Sequence, residues 1–346
     1  ARCTIPAGNL PIGHLPPARA QRDATTPSSQ PQHVAVGHTG AMSIASSSSG
    51  SISAPVLSYD DAISTVERWA EALADSAETH PPSTPVPTCP GWDLAKLLRH
   101  TGRVHRHVTG LVRLRISGPP DHDTVTINQP GSEAGPDAWV AWFRDGSAQL
   151  IAELRSAQPT DAMWSWGVDQ CVSFWARRMA HETVIHAVDG HLATNTGFRI
   201  EPAVAIDGLD EYLENLAYLR AVATPETPFT GSGTVHLHAT DPDLAEGLGE
   251  WMIEFDADGC RFGHGHGKGD VAVRAPADTL ELLALGRLNL EGDRHDGGQA
   301  GGGNKGGGNK GDGNKGAGPQ EAGMAGIEVF GDPEVFQRWL AGATFR

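Results

Sequence analysis

A helical bundle followed by a smaller α+β domain is the fold class this sequence predicts, and three observations carry the prediction. Apolar residues recur at three-to-four spacing through long segments between residues 58 and 222. Beyond Thr230 the period falls towards two, with Asp/Gly turns between short runs. Two tracts of low complexity, 1–55 and about 293–325, stand outside both patterns.

The first helix is expected over 58–77, "SYDDAISTVERWAEALADSA", where Ala62, Ile63, Val66, Trp69 and Leu73 form one stripe behind a Ser58 start. The second spans 92–112, with Leu94, Leu97, Leu98, Val104, Val108 and Leu111 on its stripe and Asp93 as N-cap. A third covers 137–157, a fourth runs from Cys171 to about Leu192, and a fifth covers 203–222. Long amphipathic helices joined by longer connections are the signature of a four-helix bundle, here expected over 56–225. The runs 234–240, 250–256, 260–265 and 270–276 alternate as short antiparallel strands do. Helices over 277–288 and 332–342 then complete a small domain spanning 230–346.

The remaining tracts lack the apolar side chains needed to offset the entropy of ordering them. Residues 1–55, ending "SIASSSSGSISAP", are expected to be a disordered leader, part of it outside the working protein. "GGQAGGGNKGGGNKGDGNKGAG" (297–318) has the composition of a flexible linker inserted in the C-terminal domain.

Composition excludes several classes of function. The chain has 346 residues, a net charge of −16 and a pI near 5.4. A surface that acidic repels phosphate backbones, which argues against nucleic acid as a partner. No run of about 18 apolar residues is present, so no membrane span is expected. Cys3, Cys89, Cys171 and Cys260 are scattered, without a Cys-x-x-Cys pair. They read as free thiols in a reducing compartment, which points to the cytoplasm.

The chemistry concentrates in "RRMAHETVIHAVDGH" (177–191). His181, Glu182 and His186 miss the His-Glu-x-x-His spacing of helical zinc proteases by one residue. On a helix, residues four apart diverge by about 40° and residues five apart by about 140°. His181 and His186 therefore cannot share an ion, whereas Glu182 and His186 can. Asp189 extends that face, and Arg178 precedes it by one turn. A catalytic zinc wants a third protein ligand and an open position. The second helix offers His100, His105 and His107, of which His100 sits closest to the core-facing stripe of Leu97, Val104 and Leu111.

These residues carry a resemblance. "PVPTCPGWDLAKLLRHTGRVHRHV" followed by "WARRMAHETVIHAVDGHLA" is similar to the mycothiol-dependent maleylpyruvate isomerase family, actinobacterial proteins with a DinB-like metal-binding bundle and a small sterol-carrier-like C-terminal domain. The match rests on Val86, Pro87, Cys89, Pro90, Gly91 and Trp92, then His100, Val104 and His105, then Arg177, Arg178, His181, Glu182, His186 and Asp189. Further similarity runs through "GDVAVRAPADTLELLALGRL" and "EVFGDPEVFQRWL", so that it spans about 58–342 less the insertion. Thr101 and His107 depart from the family's usual leucine and tryptophan.

The resemblance implies a zinc ion held by His100, Glu182 and His186; Asp189, on the same helix face, is a candidate to orient a ligand histidine, the alternative being a solvated helix-face acid. It implies mycothiol as thiol co-substrate and a small electrophile as partner. The thiolate would add to an activated cis-enoate, allow rotation and leave, giving the trans isomer. Release of the adduct instead would make the protein a mycothiol S-transferase, and a DinB-like metal-binding protein without catalysis is the third possibility. Either reaction needs an anion clamp, for which Arg178, Arg274 and Arg287 are candidates because guanidinium pairs bidentately with carboxylate. His181 and His105 are expected in structural or supporting roles. Cys89 is expected to pack beside Trp92, Trp164, Trp166 and Trp175 to line the bundle or its cleft, and "HGHGK" (264–268) to be a solvated turn.

Overall fold

The computed structural model describes residues 56–222, 228–290 and 326–344. The leader over 1–55 and the insertion at 293–325 lie outside the described residues. Four helices make the bundle: α1 Tyr59–Thr79, α2 Leu94–Leu114, α3 Pro136–Ser156 and α4 Val172–Thr194. α1 packs on α3 and α4, and α2 packs on the same two helices from the other side. Ser58 caps α1 by accepting from the Asp61 amide, and Asp93 caps α2 by accepting from the Lys96 amide. α2 and α4 both end on a left-handed residue, Arg115 (φ 46°) and Asn195 (φ 53°).

α4 is buried on every side, and this determines what the fold can hold. A helix sunk in a core is usually apolar all round. This one carries Arg178, His181, Glu182, His186 and Asp189 inside. Each must find a partner there, because an unpaired buried charge is strongly disfavoured.

α5 (Pro202–Val222) packs more on α6 (Ala277–Ala284) and β3 (Gly259–His264) than on the bundle. The sheet order is β3-β2-β1-β4-β5, with β1 Gly233–Ala239, β2 Glu250–Asp256, β4 Val271–Ala275 and β5 Glu328–Gly331. The sheet is mixed, which corrects the all-antiparallel expectation. After β3 the chain crosses to the free edge of β1 and adds β4 there in parallel, Leu237 opposite Val273. Strand β5 adds a fifth member that periodicity does not reveal, since four residues are too few to show alternation. α6 stops at Ala284, and Gly286, in the left-handed region (φ 69°), turns the chain away before Arg287.

One face of the sheet carries Val235, Leu237, Trp251, Ile253 and Val273, all fully buried. These join Leu209 and Leu213 of α5, Leu283 of α6 and Trp339 of α7 (Pro333–Gly342) in a core that runs on into the bundle through Val184, Leu97 and Leu73. Bundle and sheet thus share one apolar interior. No helix among the described residues is long and apolar enough to cross a membrane.

Candidate functional site

α2 and α4 bring three predicted residues together. His100 Nε2 lies 3.4 Å and His186 Nε2 3.3 Å from the same atom, Glu182 Oε1. All three candidate ligand atoms lie within 4.8 Å of one another. An ion held tetrahedrally at about 2.0–2.1 Å needs ligand atoms about 3.3 Å apart. His186 Nε2 is buried and makes no hydrogen bond, its approach to Glu182 lacking the geometry for one. A buried imidazole nitrogen without a hydrogen bond, facing a carboxylate and a second imidazole, is a donor set that could hold a divalent metal ion.

Two of the three residues are held from behind. Asp189 Oδ2 stands 3.0 Å from His186 Nδ1. Arg178 donates to Glu182 Oε2 at 3.2 Å, leaving Oε1 turned towards the histidines. The Trp92 ring lies almost parallel to His186 (6.3 Å between centroids) and 5.0 Å from His100. Glu182 and His186 are wholly buried, while the His100 side chain keeps 16% of its surface exposed. Access is therefore from the His100 side.

The charges follow from this packing. Burial alone would raise Glu182, but its contacts with His100 and His186 and the Arg178 guanidinium prevail, holding it well below the usual carboxylate range. Burial works against a charge on His186, yet Asp189 and Glu182 outweigh it and push the imidazole up to about 10. Two buried carboxylates therefore focus a demand for positive charge on this point.

Two of the predicted clamps are engaged with carboxylates inside the protein. Arg178 is buried, and its Nη1 donates to both oxygens of Glu211 at 2.8 and 2.6 Å. Arg287 is fully buried and spans Asp189, Nε to Oδ1 at 3.1 Å and Nη2 to Oδ2 at 2.9 Å. Each guanidinium neutralises an internal carboxylate. Arg274 pairs with Glu328 at 2.9 Å, away on the sheet. Glu211 and Thr88, which donates to Asp189 Oδ1 at 2.6 Å, escaped sequence reasoning because each lies far along the chain from its partner.

The other histidines of the two motifs fall elsewhere. His181 faces Asp207 at 2.8 Å, and Asp207 also accepts from Arg177 and from the amides of Val56 and Leu57. His105 bridges Ser147 at 3.0 Å and Thr183 at 2.9 Å, tying three helices together, and burial pushes it down to about 3. His107 does not join the cluster. Cys89 is buried, its Sγ 3.5 Å from Asp189 Oδ2. Trp175 is fully buried in the bundle and Trp166 nearly so, whereas Trp164 packs at its margin.

Two clefts open away from this cluster. One of about 500 Å³ lies between α1 and α3, and one of about 330 Å³ lies beside α2 and α3 around Arg106 and Trp142. Neither is lined by His100, Glu182 or His186.

Residues 60–189 match the family model described as the mycothiol maleylpyruvate isomerase N-terminal domain. Among solved structures, the chain is similar to a mycothiol-dependent maleylpyruvate isomerase (TM-score 0.46) and to a histidine-to-alanine mutant of that enzyme (TM-score 0.42). Each comparison has 14% identity and covers 67% of this chain and 90% of the other. No curated relative matches the chain by sequence.

Proposed function

We propose, from the match of residues 60–189 to that family model, that this protein is a zinc-dependent, mycothiol-using isomerase of a maleylpyruvate-like cis-enoate. The single observation that carries the reading is the convergence of His100 and His186 on one oxygen of Glu182. These three residues would hold the ion and leave a coordination position open towards His100's exposed side. When bound, zinc supplies the positive charge that keeps a thiol sulfur deprotonated at neutral pH.

The chain's own residues position and protect that chemistry. With an ion in place of the Nε2 proton, Asp189 would accept the Nδ1 proton of His186 and keep the Nε2 lone pair aimed at the metal. Arg178 fixes Glu182 by occupying its rear oxygen. Both are positioning residues, and Arg287 acts through Asp189. Trp92 covers the two imidazoles and excludes water from that side. With the buried arginines engaged, the substrate carboxylate is assigned to Lys96. It is exposed, one turn before His100, with its Nζ 5.1 Å over the Trp92 ring.

The thiol sulfur adds to one carbon of the activated double bond, and the electron pair moves onto the conjugated carbonyl. Rotation about the new single bond follows. Return of the electron pair breaks the carbon–sulfur bond and frees the thiol, so nothing is consumed.

The test is a thiol-dependence assay. Zinc-loaded protein is incubated with maleylpyruvate, with and without mycothiol. The expected product is fumarylpyruvate, formed only with thiol and abolished by Glu182→Gln. A thioether adduct in its place would identify S-transfer. Neither product would leave a metal-binding protein without this activity and overturn the proposal.

A further inference from the structure

The His-Gly-His-Gly-Lys tract, expected as a solvated turn, is exposed at His264, His266 and Lys268, and one of its imidazoles also reaches back over the sheet. β3 ends at His264, and Gly265, in the left-handed region (φ 132°), lets the chain fold back. The amide of Gly265 bonds the carbonyl of Glu250 at 3.1 Å, keeping the turn against β2. Gly267 then passes close over Met252, where a Cβ would stand only 2.9 Å from the Met252 sulfur. The outcome is that His266 lies over the face of the sheet opposite the helices.

That face already holds two more imidazoles. Strand alternation puts His236 and His238 on one side of β1, while Val235 and Leu237 point into the core. Register sets Glu250 of β2 directly across from His238. The Glu250 carboxylate is the hub: His236 Nε2 contacts Oε2, His238 Nδ1 lies 2.5 Å from Oε1, and His266 Nδ1 lies 3.5 Å from Oε1. His236 and His266 rings meet edge to face, 5.0 Å between centroids. Four potential ligand atoms, all within 4.8 Å of one another, come from two strands and a turn.

We propose that His236, His238, Glu250 and His266 form a second divalent transition-metal site, distinct from the bundle cluster. Three imidazoles and one carboxylate select zinc and its neighbours over magnesium or calcium, which want oxygen ligands. Four protein donors saturate a tetrahedral ion. The site therefore acts as a clip that fastens the 265–269 turn to β1 and β2 and does not open to a substrate. His236 is 4% exposed while His266 is largely in solvent, so an ion would enter from the His266 side.

The experiment uses the full chain carrying Glu182→Gln and His186→Gln, which disables the bundle cluster. The protein is stripped with chelator, dialysed against Zn²⁺ and assayed for bound metal, and Co²⁺ is substituted to read the visible band of a tetrahedral ion. One equivalent of metal and an intense Co²⁺ band are expected. Adding His238→Ala and His266→Ala should abolish both. His266→Ala alone should weaken Zn²⁺ binding by more than tenfold, and because that side chain is exposed, its loss does not threaten folding. Absence of metal in the first protein, or affinity unchanged within twofold in His266→Ala, would overturn the clip. Retention of two equivalents in the first protein would count against the bundle site instead, so the two readings fail separately.

Discussion

Arg287 closes on both oxygens of Asp189, at 3.1 and 2.9 Å, and both side chains are wholly buried. The contact joins α4 to the segment just after α6, so the sheet half of the molecule reaches the bundle cluster through Asp189 and His186. Breaking a buried pair on one side strands a charge and costs about 3–5 kcal/mol. Arg287→Met and Asp189→Asn should each lower stability by that order in urea titrations. The double variant should lose less than the sum, by about 0.5–3 kcal/mol. Strict additivity would show that the two side chains do not act as a unit.

In the proposed function Asp189 would also orient a metal ligand. Because it would then accept the Nδ1 proton of His186, Asp189→Asn should weaken zinc binding about 10- to 100-fold. Glu182→Gln and His186→Gln should remove the ion altogether and, with it, any thiol-dependent turnover. Competition with a chromophoric chelator measures both effects. Equal affinity in Asp189→Asn and the parent would dismiss the orienting role.

Glu281 of α6 supplies a pH prediction. It is fully buried, its Oε2 makes no hydrogen bond, and desolvation together with Asp278, Glu211 and Asp207 raises it well above its ordinary 4.5. The native state keeps a proton that the unfolded chain releases. The stability this confers is complete below about 4.5 and is lost as pH rises towards the folded value, by about 1.4 kcal/mol per pH unit. Glu281→Gln mimics the neutral acid and should flatten that slope, leaving the variant the more stable form near pH 8. Melting curves taken from about pH 4.5 to 8 read this directly, and parallel profiles would mean that Glu281 is ionised in the fold.

Lys96 tests the assignment of the substrate carboxylate. A charge-assisted hydrogen bond contributes about 1.5–3 kcal/mol, so Lys96→Met should raise KM for the enoate about tenfold or more. Zinc content and the dependence on thiol concentration should stay the same. A fall in kcat with KM unchanged would place Lys96 outside substrate binding.

Much of this protein was decided locally. Periodicity located the five long helices to within a few residues, and Ser58 and Asp93 announced the starts of two of them, because a helix's face and cap are settled within a turn of chain. The Glu182–His186 pair was legible for the same reason: four residues apart on a helix is a fixed geometry. Tertiary structure decided what depends on how separate elements meet. It set His100, already singled out by its place on the stripe, within 3.4 Å of Glu182, and it matched Arg178 with Glu211 and Arg287 with Asp189, partners 33 and 98 residues away. It also laid β4 parallel to β1 and folded His266 onto His236, His238 and Glu250. A buried charge selects its partner by proximity after packing, and no spacing along the chain records that choice.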